Sequence, residues 1–229
     1  MLFYGYEAQI IDGTWMTVKL SLLSLLLAIV FGLLGALCKL SPQPLLRRLA
    51  QGYSTLIRSV PDLVLMLLLF YSLQIALNQL TDALALAQID IDPFSAGVVT
   101  IGFIYGAYFT ETFRAAFLAV PRGQLEAAAA YGMGRLLTFR RVLFPQMMRF
   151  ALPGLGNNWQ VLIKASALVS IIGLADIVKV TQDAGRSTMA LFEFSFLAAF
   201  IYLAITTVSS LLLHRLERRY NLGVKEGRL

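Results

Sequence analysis

Apolar residues gather into five long runs, at about 14–38, 53–77, 95–119, 153–177 and 194–216, and most of the charge falls between them. Each run meets the ~20 residues that a helix needs to cross the hydrocarbon core of a bilayer. Backbone amides find no water there, so such segments must bond internally, as helices do. The first run is uncharged over 20–37, and the second is most strongly apolar over 63–77. The third contains Glu111 and Arg114; the fourth is the most polar, with Asn157, Asn158, Gln160 and Lys164. The pattern predicts an all-α integral membrane fold of five transmembrane helices in a single domain over 1–229.

Charge supplies an orientation. The connections after the first and third runs and the C-terminal tail hold 3, 5 and 5 basic residues: Lys39, Arg47 and Arg48; Arg122, Arg135, Arg140, Arg141 and Arg149; Arg215, Arg218, Arg219, Lys225 and Arg228. The N-terminal stretch and the second connection hold none, and the fourth holds two, Lys179 and Arg186. Basic residues concentrate on the cytoplasmic side. The expectation is therefore an N-terminus outside, a C-terminus inside and an odd number of spans.

The third connection, 121–152, is far longer than a turn between packed helices. Within it, QLEAAAAY (124–131) is alanine-rich and has high helix propensity. Pro121 and Gly123 precede this stretch, while Gly132 and Gly134 follow it, as start and stop signals do. A short cytoplasmic helix over about 124–132 is predicted. The following RRVLFPQMMRFALPG, with arginines, apolar residues and two prolines, suits a kinked interfacial segment leading back into the membrane.

Composition agrees with lipid as the main solvent. Hydrophobic residues make up 58% of the 229 and charged residues 14%, with mean hydropathy +0.73. A soluble domain carries about 25% charged residues. The net charge of +6 reads as membrane orientation and not as a nucleic-acid surface. A single Cys38 excludes an internal disulfide or a cysteine-based metal cluster, and a single His214 excludes a multi-histidine site. The opening MLFYGYEAQIIDGTW has no basic n-region, so the first run reads as a retained span. Leu37 before Cys38 is too large for lipoprotein cleavage. No Ser/His/Asp set or H-E-x-x-H run points to an enzyme. No Lys follows a Gly, so the phosphate-binding G-x4-G-K-[ST] loop is missing.

Glu126, Ala127 and Ala128, then Gly132, then Val142-Leu143-Phe144-Pro145, resemble the E-A-A-x3-G-x9-I-x-L-P signature of ABC importer permeases, with Val142 and Phe144 as mild departures. The resemblance implies that this helix is the coupling helix, seated in a cleft of a nucleotide-binding subunit. Further stretches are similar to the polar amino-acid permeases. RSVPDLV (58–64) resembles their R-G-x-P-x-L-V element, with Ser59 in place of Gly. KASALVS (164–170) resembles K-x-[ST]-x-L-x-S. GNNWQVLIK, QIDIDP and GFIYGAYFTETFR resemble the Q-type permease subunit of histidine and lysine/arginine/ornithine uptake systems. What this implies is a bacterial inner-membrane permease forming half of a translocation path. Its partners would be an M-type permease, a homodimeric ATPase and a periplasmic amino-acid-binding protein. This chain would bind no cofactor, and ATP and Mg would be handled by the ATPase.

Charges within a bilayer are costly unless they face a cavity or a partner. Glu111 and Arg114 share a helical face and can pair with each other; alternatively Glu111 attracts the cationic group of a basic amino acid. Tyr105 and Tyr108 offer hydroxyls and cation–π faces. Asp62 after Pro61 suits a helix N-terminus and a pair with Arg58; with Glu111, Tyr105, Tyr108, Asn158 and Lys164 it is a candidate for the substrate path. Lys164 is placed to pair with a carboxylate or with Asn158. Lys19 reads as snorkelling, and Gly102 with Gly106 as a close-packing pair. The competing function is a carrier or channel working without ATP, with Glu111 as its ion site.

Overall fold

A computed structural model describes residues 2–221 of the chain; the tail residues Lys225 and Arg228 lie outside them. Every regular element among the described residues is helical. A short 3-10 turn, Leu2–Gly5, leads into α1 (Glu7–Leu40), α2 (Pro44–Ser59), α3 (Asp62–Ala83) and α4 (Pro93–Ala119). Then follow α5 (Arg122–Ala130), α6 (Arg135–Thr138), a π-turn at Phe139–Leu143, and α7 (Phe144–Ala165), which tightens into a 3-10 stretch, Ser166–Ile172. The last elements are α8 (Ile177–Thr188) and α9 (Leu191–Tyr220).

Helices α1, α4 and α9 enclose the apolar runs 14–38, 95–119 and 194–216. The second run is different: it is divided rather than continuous. Val60 is extended (φ −107°, ψ 139°) and Pro61 follows it (φ −56°, ψ 135°). Proline lacks an N–H and drives the preceding residue out of the α region, so the helix stops at Ser59 and restarts at Asp62. The part before the break belongs to α2, an amphipathic helix that buries Ala50, Ser54 and Ile57 and exposes Leu45, Leu49 and Leu56.

The fourth run is displaced. Helix starts at Arg135, passes the π-turn and Pro145, and carries Pro153 in its interior. The π-turn takes up the irregularity expected of the proline-containing segment. Gly173, in the left-handed region at φ 101°, ends the 3-10 stretch. α8, unforeseen in the apolar pattern, then departs at 55°. Four described helices are long and apolar enough to cross a bilayer, or five if the bent run Arg135–Ile172 with Ile177–Thr188 is one span.

The core is the α1–α4 pair, with α7 laid against it. Small residues let the backbones close up: a Cβ at Gly32 would lie 2.5 Å from Phe109 Cβ, and one at Gly102 2.6 Å from Leu27 Cβ. Lipid tails are as apolar as leucine, so helix association in a bilayer relies on this close packing. Phe109, Leu20, Ala28, Met147 and Leu162 fill the interface. Polar bonds fix the end of the bundle where α4 begins. Asp92 caps α4, its carboxylate accepting from the backbone N–H and hydroxyl of Ser95, both at 2.9 Å. Gln74 pins the loop after α3, donating to Ile89 O and accepting from Ile91 N–H. Fully buried Asp176 caps α8 through Lys179 N–H at 2.9 Å, and the Ile177 N–H donates to Thr17 Oγ1. α3 and α9 are only sparsely buried, leaving long apolar faces uncovered.

Candidate coupling helix and intramembrane polar cluster

The short rod forms where the alanine run predicts it. α5 follows Pro121 and packs through one side chain, Ala128, against the segment leading to α7; Glu126 and Ala127 stay exposed. Its end is a Schellman turn: Met133 N–H donates to Ala128 O at 3.0 Å and Gly132 N–H to Ala129 O at 2.9 Å. The turn needs a left-handed residue, and Gly132 supplies it at φ 72°. Beside it, Tyr131 (85% exposed) and Leu136 (80%) stand almost bare. Such side chains on a short rod suit insertion into another protein's cleft. Neither was singled out from the sequence, since isolated apolar residues in a connection carry no periodic signal.

Within the bundle the polar residues form two adjoining groups on α4. In the first, Glu111 is enclosed by cations. The buried Lys39 of α1 forms an ion pair with Oε1, which also accepts from Ser54 Oγ of α2 at 3.0 Å. Arg114 Nε donates to Oε2 at 3.1 Å, and Arg58 Nη1 lies 3.9 Å from Oε1. The pair of Glu111 with Arg114 expected from the sequence is present, within a larger set of partners. It is one of three cationic contacts, and the carboxylate ties α1, α2 and α4 together instead of facing open space. Lys39 at the end of α1 had registered only as an orientation marker.

In the second group, Tyr105 donates its hydroxyl to Asp62 Oδ2 at 2.9 Å and stacks on Tyr108, with ring centroids 5.5 Å apart. The Arg58 guanidinium lies over the Tyr108 ring at 5.5 Å. The expected Arg58–Asp62 pair is replaced by this stack and the approach to Glu111. Asp62 opens α3 directly after Pro61, where the free N–H groups of the first turn favour an anion. Its half-buried carboxylate is thus held by one phenol and a helix N-terminus.

Asn158 of α7 donates to Thr112 Oγ1 at 3.0 Å, and Thr112 bonds back to Tyr108 O at 3.3 Å. Asn158 is therefore joined to the tyrosine helix but committed to α4. Lys164 does not pair with Asn158: it stands exposed, ~9 Å further along α7 at ~1.5 Å per residue. The structure thus brings Asp62, Tyr105 and Tyr108 together, sets Glu111 next to them through Arg58, and leaves Lys164 apart. Gln160 bonds Ser210 Oγ at 2.7 Å, linking α7 to α9.

Residues 28–222 match the family described as binding-protein-dependent transport system inner membrane component. The chain belongs to this family. Among relatives of this inner membrane component is the histidine/lysine/arginine/ornithine transport system permease protein HisQ of Salmonella typhimurium, 58% identical over 228 residues and 100% of both chains. The octopine transport system permease protein OccQ of Rhizobium radiobacter is 37% identical, covering 97% of this chain and 94% of its own. The crystal structure of an amino acid ABC transporter with histidines superposes with a TM-score of 0.78 at 36% identity, over 93% of this chain and 95% of that one. The inward-facing MetNI methionine ABC transporter shares the fold, with a TM-score of 0.65 at 18% identity over 90% and 95% of the two chains. The geometry agrees with an inner membrane component: a bundle of apolar helices with a short exposed rod beside it.

Proposed function

We propose that the chain is the Q-type permease subunit of an ATP-driven importer of basic amino acids, of the histidine, lysine, arginine and ornithine class. The reading is carried by the 58% identity with a histidine/lysine/arginine/ornithine permease over the whole of both chains. In it, the chain crosses the bacterial inner membrane five times, the run from α6 through the 3-10 stretch being one span, with the N-terminus outside and the C-terminus inside. It forms half of the path, and an M-type permease forms the other half. A periplasmic binding protein delivers the substrate, and a homodimeric ATPase subunit binds and hydrolyses ATP with Mg.

α5 is the coupling helix of this proposal. Glu126 and Ala127 face the ATPase, Ala128 anchors the rod to its own chain, and Gly132 holds the turn. Force on the rod passes through Ala128 to the α6–α7 segment and so to the bundle. Asp62 receives the substrate's cationic side chain, assisted by the Tyr105 hydroxyl and the Tyr108 ring. A carboxylate and aromatic faces away from bulk water suit a cation, because electrostatic attraction strengthens as the dielectric falls. Asn158 sits at the margin of this site, and Lys164 suits the substrate's carboxylate near the outer end. Glu111 is a structural neighbour in this reading, not a ligand.

The test is reconstitution of the chain with a second permease, the ATPase and the binding protein in proteoliposomes. Lysine or arginine uptake that requires ATP and all four components is expected. Uptake by this chain alone, driven by an ion gradient, would instead establish the carrier reading.

A further inference from the structure

We propose that Arg58 is a substrate-displaced relay, passing occupancy of Asp62 to the ion cluster around Glu111. The inference rests on the reading of Asp62 as the cation-binding carboxylate and adds a means by which the rest of the bundle senses that event. Arg58 stands at the junction of the two groups. It is the last basic residue of α2, three residues before the Pro61 break, and its guanidinium touches two anchors at once. One is the Tyr108 ring at 5.5 Å; the other is Glu111 Oε1 at 3.9 Å. Neither contact is tight, and the side chain is 43% exposed.

The other members of the cluster are fixed by comparison. Lys39 is 2% exposed and fills the contact distance of Oε1 together with Ser54, while Arg114 holds Oε2. Tyr105 is buried and committed to Asp62. Arg58 is thus the mobile charge among held ones. It rests on an aromatic face in the same stack that flanks Asp62, where a cationic amino acid would also rest. A substrate cation entering that stack repels the guanidinium and competes for the ring. The nearest anion toward which Arg58 can move is Glu111. That move pulls the end of α2 toward α1 and α4 and alters the load on the Val60–Pro61 hinge at the start of α3. Arg58 is a positioning residue in this scheme, acting through Tyr108 and Glu111.

A second consequence is selectivity by charge. An amino acid with an uncharged side chain occupies the site without repelling Arg58, so it binds without triggering the move. Only a cation does both.

The complete complex, with both permeases, the ATPase and the binding protein, is reconstituted and its ATPase rate measured with and without lysine. Wild type is expected to respond strongly to lysine. Arg58→Gln should bring the two rates within about twofold of each other while the complex still assembles, and Arg58→Lys, which keeps the charge but stacks poorly, should fall between. Should Arg58→Gln not assemble, Arg58→Lys alone decides: an unreduced response to lysine overturns the relay. A full lysine response in Arg58→Gln also overturns it. Asp62→Asn separates the two ideas. If that variant imports lysine normally, the substrate-site reading fails; if it loses uptake while Arg58→Gln keeps full lysine control, only the relay fails.

Discussion

Replacing Glu111 with glutamine removes the only anion paired with Lys39 among the described residues. Lys39 is 2% exposed, so its ammonium cannot turn to water when the partner goes. The attraction between unit charges ~4 Å apart at an effective dielectric of ~20 is about 4 kcal/mol. Breaking a buried pair by removing one partner costs about 3–5 kcal/mol for the same reason. Arg114 and Arg58, more than a third exposed, recover solvation and add little. Glu111→Gln should therefore lower stability by about 3–4 kcal/mol. At roughly 2–4 °C per kcal/mol for a chain of this size, the midpoint falls by about 10 °C. The assay is thermal inactivation of the purified complex in detergent, run on Glu111→Gln, Lys39→Met and the double variant. The double variant should regain much of the loss, since it no longer leaves a buried ammonium without a counter-charge. A single variant within 2 °C of wild type, or a double variant no better than Glu111→Gln, would refute the enclosed-pair argument.

Gly132→Asp meets no steric obstacle, because a Cβ there has nothing within 4 Å, but φ 72° costs an L-residue roughly 1–2 kcal/mol locally. The chain should insert normally yet show strongly reduced ATP-dependent uptake, measured beside its membrane level. Asp62→Asn should lower lysine uptake at least tenfold with expression unchanged, read as initial rates in proteoliposomes. Asp92→Ala removes the cap of α4 and should cost about 1 kcal/mol, seen as faster amide exchange at residues 93–96. The carboxyl of Asp92 lies below its ordinary 3.8, held there by the Ser95 backbone and hydroxyl bonds. Its contribution is thus present above about pH 4 and lost as pH falls through the lowered value, so the exchange difference should vanish in acid.

The parts of the fold legible in the sequence are those where one local signal acts alone. The alanine run between Pro121 and Gly132 gives α5 and its Schellman end, because capping chemistry is contained within a few residues. The apolar runs place α1, α4 and α9, because burial in lipid depends on composition and length. The second run misleads because the mixed segment Tyr53–Ser59 adjoins the strongly apolar 63–70, and a single proline between them carries the break. α8 went unseen because its helix is amphipathic and is set by Asp176 at its cap and Thr17 from α1, 160 positions away.

The polar cluster shows the same limit at higher cost. Spacing places Glu111 beside Arg114, three residues along one helix, and that pair is real. It cannot show Lys39 and Ser54, which reach the carboxylate from 72 and 57 residues away. Those two partners change what Glu111 does, since a carboxylate with both oxygens occupied by its own protein has little left to offer a passing cation. Asp62 has the reverse history. Its sequence position suggests helix-end electrostatics, a pair with Arg58 or a place on the substrate path without deciding among them, whereas the fold gives it a single phenol and two stacked rings. The number of protein donors already held marks Glu111 as a brace, and the lighter occupation of Asp62 is what supports placing the cation there in the proposed function.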